Sequence, residues 1–387
     1  MTARRSTALA TLAVAALALA GCGGGDDTPA AAPSPTPSAD ASAGIDGGLT
    51  GPSPSPTRSK DKDKDKDDDG DGDGGSAGPV AKAPAAPPPD AGSVKCPAAT
   101  VTVSSADDLT RALAAARPGD SIRLADGTYA GKFVASTSGT QAAPIFLCGG
   151  PGAVLDAGGT ESGYGFHLDG AGWWRLVGFT VQNAQKGVIA DRSSHSVIQG
   201  LTVRDIGDEG IHLRSSSSDN LVAGNTVRDT GKRRDKFGEG IYIGSATSNW
   251  DKYSDGGPDR SDRNVIRGNS ISGTTAESVD IKEGTSSGVL VGNVFDGSAL
   301  TEEGGDSWVD VKGNSWLIQG NRGAHSKVDG FQTHNVSDGW GTGNVFRGNT
   351  ATAVGDYGIA LKPVLGNKIA CDNKASGGKG LSNVDCA

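Results

Sequence analysis

The sequence lacks any surplus of positive charge. Its 36 Lys and Arg are outnumbered by 45 Asp and Glu, for a formal net charge of −9. Binding to nucleic acid requires a broad basic surface that displaces counterions, so nucleic acid is excluded as a partner. An acidic polymer could bind only through a local basic strip or through bridging cations. The sequence also lacks an apolar run that spans a bilayer with ease. The best run, from Ala8 to Ala20, falls short of the roughly 20 residues a membrane-crossing helix needs. With Arg4 and Arg5 before it, this run reads as the core of an export signal. Cysteine is scarce too, with five in 387 residues.

The apolar run ends in Leu19-Ala20-Gly21-Cys22, which resembles the lipobox of bacterial lipoproteins. That resemblance implies a signal peptide over residues 1–21, a lipid on Cys22 and a mature chain held on the outer side of a cell membrane. Cys96, Cys148, Cys371 and Cys386 remain. An even number in an exported chain favours disulfides. Four cysteines allow three pairings; Cys96–Cys148 with Cys371–Cys386 is the expected one, because each pair sits at one end of the folded domain.

Residues 22–94 have no apolar periodicity and are rich in Pro, Ala, Ser, Gly and Asp, as in Pro33-Ser34-Pro35-Thr36-Pro37. Such a stretch cannot bury enough surface to offset its ordering entropy, so a disordered tether is expected. Within it, Asp67, Asp69, Asp71 and Gly72 match the opening of a calcium loop, but Gly78 stands where the bidentate Glu belongs. A solvated spacer is the reading for this segment.

Residues 95–387 form the folded domain. It opens with an amphipathic helix: Ser105 as cap, Asp107 and Asp108 in the first turn, and Leu109, Ala112, Leu113 and Ala116 on one stripe. A short pattern then recurs, a small residue followed by apolar, variable, apolar, variable. It begins at Gly165, Gly187, Gly210, Gly240, Ser278, Trp308, Gly330 and Gly358. The shortest repeats are 22 or 23 residues and the others carry insertions. A second repeat ends in Gly-Asn, at Asn225, Asn269, Asn293, Asn321 and Asn349. Period-2 strands at a fixed longer period, with Asn at equivalent turns, predict an all-β right-handed parallel β-helix capped by the helix. A monomer is expected.

Stacking the repeats makes columns of side chains about 4.8 Å apart on the outer face. One column reads His212, Tyr242, Asp280, Asp310, Gln332; the next reads Arg214, Gly244, Lys282, Lys312, His334, Lys362. Glu239 and Glu277 precede their strands on adjacent rungs. Stacked Asp280 and Asp310, with Glu239 and Glu277, are candidate ligands of an oxygen-bound cation, best calcium. Stacked lysines lower each other's pKa, which makes Lys282 the first candidate base and Lys312 the second; His334 could act as acid or base. Arg214, Lys362, Tyr242 and Gln332 are candidate substrate contacts, and Trp308 and Trp340 are candidate platforms for sugar rings. Carboxylates, a base and fixed cations on one strip suit β-elimination in a uronate-containing, acidic polysaccharide.

The pattern over residues 98–375 is similar to the pectate-lyase-like superfamily of parallel β-helix proteins. Asp107-Asp108-Leu109 through Gly127-Thr128-Tyr129 resembles the N-terminal cap of its alginate lyases and chondroitinases. Glu277-Ser278-Val279-Asp280-Ile281-Lys282 is similar in kind to a strand carrying calcium ligands and a Lys base, with Lys312 where an Arg is expected on the next rung. The W-x-D-H signature of the commonest pectate lyases is absent. The resemblance implies a calcium-dependent polysaccharide lyase. The competing readings are a non-catalytic glycan-binding surface protein, and a C5-epimerase or glycoside hydrolase of the same fold.

Overall fold

The computed structural model describes residues 81–87 and 91–387. The export signal, Cys22 and the Asp67–Gly78 stretch lie outside the described residues. No helix among the described residues is long and apolar enough to cross a membrane.

The chain winds through three parallel sheets of 11, 10 and 10 strands, and neighbours in each sheet come from successive coils. The eight strands of the apolar-variable repeat all fall in one sheet. They run in order from Tyr164–Asp169, Lys186–Asp191, Ile211–Arg214 and Ile241–Ile243 to Val279–Ile281, Val309–Val311, Phe331–His334 and Tyr357–Lys362. That sheet gains Phe133–Ala135 at one end and Gly380–Ser382 at the other. The expected register holds throughout. Tyr242 pairs with Asp280, Asp280 with Asp310 and Asp310 with Gln332.

The Gly-Asn repeat sits at one set of corners. Each glycine has a positive φ, near 62° at Gly224 and Gly268, where a Cβ would add strain. The asparagines stack as a continuous buried ladder. Asn225 donates its amide to Asn269 at 2.9 Å, Asn269 to Asn293 and Asn293 to Asn321 at the same distance, and Asn321 to Asn349 at 3.1 Å. Each amide also reaches a backbone carbonyl, as Asn293 does with Ile266. The turns are thereby satisfied without water.

Helix Ala106–Ala115 is capped by the Ser105 side chain, which accepts from the Asp108 N–H. It packs on the first strands of the solenoid, with Leu109 and Leu113 buried. Cys96 and Cys148 are bonded, as are Cys371 and Cys386, so each disulfide closes one end of the domain. Part of the expected tether is fixed to the solenoid. Val94 exchanges two hydrogen bonds with the Gln199 side chain, and Arg267 donates to Ala91 O and Ser93 Oγ. Val94 also packs on Val197, Leu221 and Ala223.

Trp308 corrects one expectation. It lies wholly in the core, edge-on to Phe331 with ring centroids 5.9 Å apart. The first position of the repeat faces inward and is crowded: a Cβ at Gly187 would lie 2.3 Å from Gly210 O. Trp308 occupies it because Gly297, Gly323 and Gly330 leave its ring the room; a Cβ on any of them would come within 2.6 Å of that ring. It cannot serve as a sugar platform.

Candidate active site

The Asp and Lys columns meet in one buried ion network. Lys312 Nζ bridges Asp280 Oδ1 at 3.2 Å and Asp310 Oδ2 at 2.8 Å. Lys282 Nζ lies 3.0 Å from Asp280 Oδ2 and 5.3 Å from the centre of the Tyr242 ring. His334 Nδ1 faces both Asp310 oxygens, at 3.0 and 2.9 Å. Charge of alternating sign thus zigzags across three rungs, and Asp280 and Asp310 each face two basic groups.

This arrangement overturns the expectation that stacking lowers the pKa of Lys312. Burial does disfavour its charge, but Asp280 and Asp310 outweigh burial and hold it above the ordinary lysine range. It is a fixed positive charge, not a base. Asp310 is likewise held well below the usual carboxylate range, since Lys312 and His334 overcome the effect of burial. Asp310 raises the His334 imidazole against a smaller opposing effect of burial.

Of the four candidate cation ligands, three converge. Glu239, Glu277 and Asp280 each offer an oxygen within 4.8 Å of the others. Asp310 is not among them, and its oxygens face Lys312 and His334. Burial and the neighbouring carboxylates push Glu239 well above the ordinary range, and burial with Asp280 pushes Glu277 up to about 8. Glu239 Oε2 is buried without a hydrogen-bond partner. An all-carboxylate donor set with an orphaned buried oxygen fits a hard cation.

The candidate substrate contacts are mostly engaged elsewhere. Arg214 is buried, with Asp191 at 2.7 Å, the Tyr164 hydroxyl at 3.1 Å and the Tyr253 ring centre at 4.0 Å from its guanidinium carbon. It is not an open clamp. Trp340 is fully buried beneath Arg260, so it too cannot stack on a sugar. Gln332 is buried and accepts from Lys362 at 3.2 Å, while Lys362 also bonds Asp329 at 2.7 Å. Lys362 and His334 keep the open edge, with 39% and 30% of their side chains exposed.

Sequence reasoning missed a neighbouring group on the same sheet. Glu209 precedes its strand as Glu239 and Glu277 precede theirs, and the three are consecutive rungs: Gly210 N–H donates to Glu239 O and Gly240 N–H to Glu277 O. Lys186 closes this glutamate column with a 2.8 Å bond to Glu209. His212 lies against Tyr242, ring centroids 4.3 Å apart. The shared position before a repeat strand was the signal that marks Glu209.

Residues 92–246 match the family of Pel9A-like right-handed β-helix regions. A crystal structure of an alginate lyase from Paenibacillus sp. str. FPU-7 is 37% identical to this chain. The match covers 74% of this chain and 99% of that one, with a TM-score of 0.69. This chain belongs to the Pel9A-like right-handed β-helix family. The pectate lyase Pel9A shares the fold at 16% identity and a TM-score of 0.54, over 72% of this chain and 79% of that one. No curated protein matches the chain. The winding expected from the repeat is therefore that of the family.

Proposed function

We propose that this protein is a polysaccharide lyase that cleaves an acidic, uronate-containing polymer by β-elimination. One observation carries the reading: the chain is 37% identical to an alginate lyase along nearly all of that enzyme. The ion network supplies groups for the chemistry. Lys282, once it has released its own proton and stands as the neutral amine, accepts the proton at C5 of the uronate. The electron pair left behind forms the C4–C5 double bond, and the C4–O bond breaks. Tyr242, whose ring lies beside Lys282 Nζ, donates its hydroxyl proton to the departing oxygen. The fixed charge of Lys312 opposes the negative charge that builds on the uronate. His334 and Lys362, at the open edge, bind carboxylates of neighbouring units.

Glu239, Glu277 and Asp280 would hold calcium. When bound there, calcium would neutralise buried carboxylates and draw a substrate carboxylate toward the site. A hydrolase built on the stacked Asp280–Asp310 pair is disfavoured, since one of its two carboxyls must carry a proton and Asp310 is held as an anion by Lys312 and His334. We also place the domain outside a cell membrane, held by lipid on Cys22.

The test is a panel of alginate, pectate and glycosaminoglycan substrates, read by the ultraviolet absorbance of unsaturated ends. Product that vanishes in Lys282→Ala, with folding retained, is the expected result. Exchange of the C5 proton with solvent and no cleavage would make the protein an epimerase instead. Binding without either would make it a glycan-binding protein.

A further inference from the structure

The face that carries the Asp and Lys columns is not open along its whole length. On the coils before Lys282, the column residues Tyr242, His212 and Arg214 are all buried. The face opens again further back, where 43% of the Asp169 side chain and 65% of Arg192 are exposed. The cover between comes from two insertions in the repeat, one before Ile241–Ile243 and one after it. They meet over the sheet: Phe237 from the first and Tyr253 from the second line one cavity with His212, Arg214 and Tyr242. That cavity holds about 30 Å³. A water molecule needs roughly 10–15 Å³ by this measure, so no sugar ring passes through.

The two insertions are fastened by buried acids. Asp259 of the second accepts from the Ser215 and Ser216 N–H groups of the preceding coil, at 2.8 Å each. Glu283, next to Lys282 in the chain, accepts from the Thr247 hydroxyl at 2.8 Å. Asp208 accepts from two N–H groups of Arg233 in the first insertion, at 2.7 and 3.1 Å. Arg214 beneath them is closed off as well, with Asp191 and the Tyr164 hydroxyl on its N–H groups and the Tyr253 ring over it. These contacts build a fixed wall.

We infer that the paired insertions are a steric stop that closes the groove on the Tyr242 side, so that the polymer is engaged at one chain end. The inference rests on the lyase reading and adds its mode of attack. On the other side the groove is open, at His334 and Lys362. A chain lying across the rungs enters over Lys362, passes Lys312 and Lys282, and ends against Phe237 and Tyr253. Tyr242 lines the closed cavity and also lies beside Lys282, so the stop abuts the reacting pair. An internal bond with long chain on both sides meets the wall. A bond near one end does not, and each cut releases a short product of fixed length.

The test uses synthetic hexasaccharides of mannuronate, guluronate and galacturonate, each with a bulky fluorophore at its reducing or its non-reducing end. They are titrated into Lys282→Ala, which binds without turnover. A fluorophore at one end should weaken binding about 10-fold or more through its clash with the wall, and at the other end should change it little. Tyr253→Ala with Phe237→Ala should erase that difference. If the double variant fails to fold, as a melting curve shows, Tyr253→Ala alone should reduce it, since that ring is only half-buried. Wild-type enzyme acting on the polymer should release one short unsaturated product from the first turnovers, with viscosity falling slowly for each double bond formed. Both ends tolerating the fluorophore, both rejecting it, or no hexasaccharide bound would overturn the stop. An early ladder of unsaturated products from the wild type would overturn the stop and uphold the lyase. One-sided rejection of the fluorophore in a protein that never yields unsaturated product would sustain the stop and sink the lyase reading.

Discussion

Lys282 and Lys312 occupy equivalent positions on adjacent rungs, yet their loss should have different consequences. Lys312 bridges two buried carboxylates, at 3.2 and 2.8 Å. In Lys312→Met, Asp310 keeps His334 and Asp280 keeps Lys282, but the charge joining the rungs is gone and two carboxylates face each other. Removing one partner from a buried pair costs about 3–5 kcal/mol. In Lys282→Met, Asp280 retains Lys312, so the loss is that of one charged hydrogen bond, about 1.5–3 kcal/mol. At roughly 2 °C of Tm per kcal/mol for a domain of this size, Lys312→Met should melt about 6–10 °C lower and Lys282→Met about 3–6 °C lower. Turnover should invert that order. Loss of a general base typically costs 10²–10⁴-fold, so Lys282→Met should be nearly inactive, while Lys312→Met, assayed well below its Tm, should keep measurable activity. Differential scanning calorimetry and the appearance of unsaturated ends decide it. A Lys312→Met protein that melts with the wild type would refute the bridging role. One that is inactive while Lys282→Met turns over would refute the choice of base.

Three further outcomes are expected. Asp310 raises the His334 imidazole, so the pair stabilises the fold fully below the unfolded pKa near 6.5 and loses that contribution as pH rises through the folded pKa. The Tm of the wild type should therefore fall relative to His334→Asn on going from pH 6 to pH 9, and parallel curves would show that the pair contributes nothing. Millimolar calcium should raise Tm by several degrees, chelator should reverse this, and Glu239→Gln with Glu277→Gln should abolish the response; a shift that survives both changes would place the cation elsewhere. The disulfides close loops with separations of 52 and 15 residues, for which chain entropy gives about 4 and 3 kcal/mol. Unfolding in urea should find Cys96→Ser/Cys148→Ser somewhat the less stable of the two double variants; the reverse order would show that strain, not loop length, dominates.

The columns were legible because a solenoid preserves alternation across insertions. The coil between Ile241 and Val279 carries a long excursion, yet Tyr242 still pairs with Asp280. What the excursions cover was not legible. Arg214 reads as an outward cation, but Tyr253 from the insertion lies against it. Trp340 reads as an exposed loop ring and is buried under Arg260. Trp308 failed for a different reason. The first repeat position turns inward, and glycine there in most coils was the visible sign of crowding. The pKa of Lys312 failed because stacking predicts its like-charged neighbour, while its sign depends on which carboxylates reach the nitrogen.

The lengthened coils and the charged rungs coincide, and this has a physical cause. A bare sheet face is open to water, where exposed ion pairs contribute little. The insertions around Ile241–Ile243 and before Val309–Val311 lower the local dielectric over Glu239, Glu277, Asp280 and Asp310, all of which are buried. Burial makes each charge depend on its neighbours, as Glu277 at about 8 and the depressed Asp310 show in opposite directions on adjacent rungs. Such divergence among close carboxylates is how one site keeps some groups protonated and others ionised at a single pH. The regular coils at Gly165 and Gly187 carry no comparable cluster of acids. The buried cluster of acids is therefore confined to the rungs that carry inserted segments, and the regular ladder on either side holds those rungs in register.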